Sequence, residues 1–240
     1  MSNYYDWHTT LTKDADVTMV VSIRGKGKTY GLRKQFVIDF LKDGSRFVEI
    51  CRYKDELKDV ADGYFERLEE NGEFPDYQFK TEKNAAYIAK KVPEGDKPQW
   101  KKIGYFVALT QMQRSKKKTF VNVYRLLMDE AVLSRVDRFH RYLPGEFALL
   151  TNVVDSCTRE HAGEKRKHKP HVYLLGNACD LTNPYFARYG VKREPPYGYS
   201  WHDGKTFLLD YVEPGEDGED KLNETVSGRM ARGTAEADVI

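Results

Sequence analysis

Six consecutive residues, Arg24-Gly25-Lys26-Gly27-Lys28-Thr29, carry chemistry that the rest of the chain has to position. The two glycines let the backbone turn with its N–H groups facing inward, a nest that holds phosphate oxygens. Lys28 then reaches the β- and γ-phosphates of a nucleotide, and the Thr29 hydroxyl is placed on Mg²⁺. Arg24, Gly25, Lys26 and Gly27 complete the candidate binding set, and ATP and Mg²⁺ are the implied cofactors. Upstream, Val17 to Ile23 is an apolar, β-branched run that reads as a buried parallel strand. Downstream, a helical pattern runs through Phe40 and brings its positive N-terminus to the same spot. Strand, glycine loop, Lys-Thr and helix in that order make a P-loop rather than a chance string. Ser22 stands where the usual pattern begins with glycine.

A second set of polar residues follows later buried runs. Val121 to Met128 reads as a strand ending in Asp129-Glu130. Asp129 is placed to aid the Mg²⁺ shell and Glu130 to orient or deprotonate the attacking water. Alone the pair is a weak signal; about a hundred residues after a P-loop it is a strong one. The second carboxylate favours ATP hydrolysis over a small-molecule kinase. His171 to Leu175 reads as a further strand ending in Gly176-Asn177. Asn177 there either senses the γ-phosphate or is a turn asparagine. Tyr4, Tyr5, Trp7 and His8, ahead of the first strand, either stack on the adenine ring or cover the sheet edge.

The positioning elements are legible as a βαβα start. Phe47 to Cys51 is the second strand, and a helix from about Asp55 to Glu69 closes at Asn71-Gly72. Between Tyr77 and Leu109 the pattern changes to short alternating pieces with a turn at Pro93-Glu94-Gly95-Asp96, a β-meander. Pro144 starts a long helix over Glu146 to Glu160, with Phe147, Leu150, Val154 and Cys157 as its core face. Thr206 to Val212 is a strand paired with the region around Tyr199. The expected fold is α/β, with a mostly parallel central sheet, helices on both faces and the added meander. Residues 1–212 read as the ATPase domain. Residues 213–240 read as an acidic linker and the start of a lid or linker subdomain, in a chain expected to be a fragment of a longer protein.

Composition sets the outer limits. The 240 residues are 40% hydrophobic and 32% charged, a soluble globular mix, and the net charge of +2 does not by itself point to nucleic acid. Charge is unevenly spread, with basic runs at Lys116 to Lys118 and Lys165 to Lys169 and an acidic one from Glu213 to Asp220. Three scattered cysteines without a CxxC pair argue for a reducing compartment and against zinc or a disulfide framework. No apolar run approaches membrane-spanning length, so a cytosolic protein without a membrane partner is expected.

Laid out in this way, the sequence resembles the DNA-encapsidation (genome-packaging) ATPases of small tailed phages, the phi29-like type. The similarity runs from about Val17 to Tyr189, with a weaker echo at Thr225 to Gly233. It rests on the Arg-Gly-x-Gly-Lys-Thr loop, the Arg52-Tyr53-Lys54-x-Glu56-Leu57 block, Asp129-Glu130, Asn177-Ala178 and Asn183-Pro184-Tyr185-Phe186. The resemblance implies a P-loop NTPase of the ASCE type, with the catalytic Glu on its own strand. It also implies a homomeric ring, pentameric in this family, at the portal vertex of a prohead in the host cytoplasm. Such rings drive double-stranded DNA into the capsid, and some contact a prohead RNA. The family carries a smaller nuclease-like C-terminal domain that nothing here covers, and its first loop residue is Gly rather than Ser22. It places a trans-acting arginine finger at Arg159, a third catalytic residue beside Lys28 and Glu130. A translocating motor holds the DNA backbone without reading sequence, and Lys54, Lys116, Lys117 and Lys118 are the candidates. Rival readings are another P-loop DNA machine, helicase-like or partition-type, and a nucleotide-binding scaffold without turnover; Glu130 argues against the scaffold.

Overall fold

A computed structural model describes residues 4–112, 120–133, 140–159, 167–177, 182–192 and 195–214. The chain opens with α1 (Trp7–Leu11), β1 (Val17–Ser22), α2 (Lys28–Asp43) and β2 (Arg46–Cys51). Two short helices, α3 (Glu56–Asp62) and α4 (Glu66–Glu70), lead to β3 (Tyr77–Glu82), β4 (Ala85–Lys90) and β5 (Lys101–Ala108). Then come α5 (Leu109–Met112), β6 (Val123–Val132), α6 (Glu146–Thr158), β7 (His171–Asn177) and α7 (Pro184–Tyr189). A hairpin of β8 (Gly198–His202) and β9 (Phe207–Tyr211) ends the described part. The result is a mixed α/β fold on a nine-stranded sheet of order β3-β4-β5-β2-β6-β7-β1-β9-β8. β2 pairs in parallel with β5 and β6, and β1 with β9. The pairs β3–β4, β4–β5 and β8–β9 are antiparallel.

The chain forms two compact units, and several elements run from one into the other. The first draws on Met1–Lys28, Asp129–Phe147 and Tyr173–Ile240. Its core holds Met19 and Val20 of β1, Leu174 and Leu175 of β7, and Phe207 and Leu208 of β9, all fully buried. The buried Tyr185 hydroxyl donates to Glu146 Oε1 at 2.7 Å, and Glu146 Oε2 accepts the Leu143 N–H at 2.9 Å. Asn183 caps α7 by accepting from the N–H groups of Tyr185 and Phe186. Its unusual Asn-Pro-Tyr-Phe block is therefore an N-cap, a proline suited to the first helical turn and two core rings.

The second unit draws on Thr29–Met128 and Ala148–Val172. Leu32, Phe36 and Val37 recur at helical spacing on α2 and are buried. Phe47 of β2 stacks on Tyr64 with centroids 4.6 Å apart, and any side chain at Gly104 would run into the Phe47 ring. Arg33 forms a two-pronged ion pair with the buried Glu49, and Arg125 Nε donates to Asp39 Oδ2 at 2.6 Å. Both pairs tie α2 to strands of the sheet.

Three expectations need correcting. The helix expected from Asp55 to Glu69 is two helices, because the turn at Gly63 to Phe65 puts Tyr64 and Phe65 into the core. The strand expected to stop before Asp129-Glu130 runs on to Val132, so the acidic pair lies within it. The helix expected to reach Glu160 ends at Thr158, and Val153, not Val154, is its fully buried valine.

Candidate phosphate-binding site

Gly25 and Gly27 have φ values of 82° and 68°. Side chains rarely adopt that region, so both glycines are required by the turn itself. The loop delivers the chain into α2, whose first residue is Lys28 and second is Thr29. Lys28 is 7% exposed. Its Nζ donates to Ser22 Oγ at 2.6 Å, Ile23 O at 3.3 Å and Ser22 O at 3.5 Å. The residue that departs from the usual pattern thus supplies a hydroxyl to the lysine, which glycine could not. Arg24 and Gly25 are exposed, while Lys26, Gly27 and Thr29 are half-buried.

Ser22, Asn177 and Asp129-Glu130 belong to the C-terminal parts of β1, β7 and β6, which are neighbours in the sheet order. A Cβ on Gly176 would lie 2.5 Å from Val132 Cγ2 and 2.8 Å from Val132 Cβ. Glycine therefore lets β7 approach β6 at Val132, two residues beyond the acidic pair. Asp129 is half-buried and its Oδ1 accepts the Glu130 N–H at 2.9 Å. Glu130 is exposed and has φ 51°, a left-handed backbone inside a strand. Such strain costs of order 1–3 kcal/mol and clusters at functional sites. No metal-holding group of three or more His, Cys, Asp or Glu occurs among the described residues. Of the two residues expected to hold Mg²⁺, Thr29 is the second residue of α2 and Asp129 lies in β6.

Sequence reasoning missed a strap over the loop. The Tyr5 N–H donates to Lys26 O at 2.8 Å, and Trp7 Nε1 donates to Lys28 O at 2.8 Å. The Tyr4 ring lies where a side chain on Gly27 would be, 2.6 Å from its Cβ position. Trp7 is buried, edge-on to Tyr5 and Tyr173. The Tyr5 hydroxyl donates to Asp210 Oδ2 at 2.6 Å, and burial holds the Tyr5 pKa above its ordinary value. Burial likewise raises the Asp210 carboxyl. The aromatic cluster ahead of the first strand was the available signal; Tyr5 and Trp7 face inward to grip the loop, and Tyr4 stays exposed.

The remaining candidates belong to other elements. Arg159 is exposed and follows directly on α6. Lys54 is exposed in the turn before α3, where Glu56 Oε2 accepts the N–H groups of Arg52 and Tyr53. The Arg-Tyr-Lys-x-Glu block is in this respect a capped turn. Lys116, Lys117 and Lys118 lie outside the described residues, as does most of 213–240. No helix among the described residues is long and apolar enough to cross a membrane.

The profile of the Podovirus DNA encapsidation protein (Gp16) matches residues 1–237. A DNA packaging protein of Bacillus phage B103 is 27% identical over 224 residues, which cover 93% of this chain and 62% of the relative. One of Bacillus phage PZA is 25% identical, with 97% and 63% covered. The chain therefore spans a little under two thirds of the length of these relatives. The N-terminal domain of the DNA packaging ATPase from bacteriophage phi29 superposes with a TM-score of 0.72 at 25% identity, covering 90% of this chain and 99% of that one. A large terminase ATPase domain of Thermus phage P74-26 shares the fold at a TM-score of 0.52 and 12% identity, covering 98% and 92%. With its glycine loop, acidic strand and capped Asn-Pro-Tyr-Phe helix, the chain belongs to the Podovirus DNA encapsidation protein family.

Proposed function

We propose that the chain is the ATP-hydrolysing part of a DNA-packaging motor. The observation that carries the reading is the loop: two left-handed glycines beside a nearly buried lysine ammonium at the start of α2. Family membership supports the packaging half, and likeness to a packaging ATPase domain supports the ATPase half.

In this reading the domain is a P-loop NTPase of the ASCE type over residues 1–212, with 213–240 as an acidic linker. The loop N–H groups from Gly25 to Lys28 cradle phosphate oxygens, and Arg24 and Lys26 add positive charge around them. Lys28 leaves the Ser22 hydroxyl for the β- and γ-phosphates. Thr29 and Asp129 would hold Mg²⁺, which would neutralise phosphate charge. Glu130 orients or deprotonates the attacking water, and Asn177 contacts the γ-phosphate end. Arg159 reaches across from a neighbouring copy to the transferring group. The working form is a homomeric, pentameric ring at the portal vertex of a prohead in the host cytoplasm. It acts on double-stranded DNA through Lys54 and Lys116 to Lys118, with a prohead RNA as a further partner.

The test is steady-state ATP hydrolysis over a wide range of protein concentration. Specific activity is expected to climb with concentration, because sites are completed between copies, and Arg159→Ala is expected to bind ATP normally yet lose that rise. A flat specific activity, or an Arg159→Ala variant that turns over at the wild-type rate, removes the trans arginine and the ring from the reading.

A further inference from the structure

Away from the phosphate loop, one face of the β3–β4–β5 meander alternates lysines with aromatic rings. Register places Lys80, Tyr87 and Lys102 in one row across the three strands. Lys80 Nζ lies 4.8 Å from the Trp100 ring centroid and 5.4 Å from that of Tyr87. Lys102 Nζ lies 5.7 Å from Tyr87 and 5.1 Å from Tyr105. Attraction to the ring faces restrains each ammonium, so two positive charges stand two strand spacings apart, roughly 10 Å. Arg46 ends the row: its Nη1 reaches the Tyr105 hydroxyl at 3.5 Å, and its buried Nε has no hydrogen-bond partner.

A groove of ≈ 890 Å³ shares Arg46 and Lys102 with this row, while its Tyr77, Ile88, Lys90 and Lys101 belong to the other face of the same strands. Arg46, Lys90, Lys97, Lys101 and Lys102 line it, with Asp96 as the opposing charge and side chains of α2 and β4 as apolar lining. Lys80 pairs with Glu82 at 3.5 Å, but Lys90, Lys97, Lys101 and Lys102 form no ion pair among the described residues. Residues 77–105 hold seven lysines against three carboxylates. A surface this positive with so little internal neutralisation fits a polyanion. Half-buried rings among the cations fit one with free base faces, which a duplex keeps inside its stack.

We propose that this row and groove bind an unpaired polynucleotide strand. Its phosphates lie on Lys80 and Lys102 and pass by way of Lys102 and Arg46 to the groove lysines, and its bases lie against Trp100 and Tyr87. The surface is independent of the ATPase reading, since binding is measured without nucleotide and does not involve the phosphate loop.

The experiment is fluorescence anisotropy with labelled oligo(dT) and oligo(U) of about 20 nucleotides, longer than one site, titrated at several salt concentrations. Wild type is expected to bind one or both. The double variant Lys80→Ala/Lys102→Ala is expected to bind at least tenfold more weakly, with a salt slope shallower by roughly 1.4, or about 0.7 for each phosphate no longer neutralised. Trp100→Ala is expected to weaken binding with the slope unchanged, the mark of lost stacking. Circular dichroism checks folding; where the double variant does not fold, Lys97→Glu/Lys101→Glu at exposed positions takes its place with the same expected loss. The proposal is overturned if wild type binds neither strand, or if the folded charge variant keeps its slope. Equal losses on a duplex of the same length, or displacement by polyglutamate as readily as by unlabelled oligo(dT), also overturn it.

Discussion

Ser22 shows how a departure from a pattern can be a substitution of parts. Where the usual phosphate-loop pattern begins with glycine, the glycine loop here offers a hydroxyl that takes the Lys28 ammonium at 2.6 Å. The loop itself was legible because its glycines have a conformational reason to be there. Trp7 was not, because a tryptophan twenty-one residues from Lys28 carries no spacing signal for a bond to its carbonyl. Trp7→Phe keeps the ring and deletes the N–H, removing one hydrogen bond to the Lys28 carbonyl at a cost of about 0.5–1.5 kcal/mol. The expected result in steady-state kinetics is a raised KM for ATP with kcat nearly unchanged, because the loop is loosened while Glu130 is untouched. Glu130→Gln is expected to bind nucleotide normally and to turn over about 10²- to 10⁴-fold more slowly. Unchanged turnover would return the chain to the class of nucleotide-binding scaffolds. Glu130→Gly adds a second readout: removing the left-handed strain at φ 51° should leave the melting temperature no lower while turnover is lost.

At the scale of elements, period-2 patterning made the meander readable, since β3, β4 and β5 fall within the stretch expected from Tyr77 to Leu109. The expected helix from Asp55 to Glu69 failed at Gly63, where two buried aromatics demand a turn that helical periodicity hides. The strand through Asp129-Glu130 was read too short, because polar residues look like an end unless a partner strand is known to continue beside them. Gly176 is that partner, and Gly176→Ala is expected to lower stability by about 1–3 kcal/mol through its collision with Val132, as a thermal melt would show. Glu73 links the segment after α4 to α2. The Lys34 ammonium at 2.6 Å and the Tyr30 hydroxyl at 2.7 Å hold its carboxyl below the usual range. A depressed carboxylate stabilises the fold above its unfolded pKa and loses that contribution as pH falls. The melting-temperature gap between wild type and Glu73→Gln should therefore be widest near neutrality and close in acid.

At the scale of the molecule, the order of the strands carries a consequence for how the protein is made. β1, which feeds the glycine loop, lies between β7 and β9 in the sheet, and its Val17 is registered against Phe207, about 190 residues later. A ribosome therefore emits the loop long before either neighbouring strand exists. An apolar strand left without partners is prone to aggregate, and pairing over such sequence distances is slow. Chains truncated ahead of β9 are expected to accumulate as insoluble protein that binds no nucleotide, whereas truncation after Tyr211 should spare solubility. The glycine loop is thus among the first parts of the fold to be translated and one of the last to be assembled.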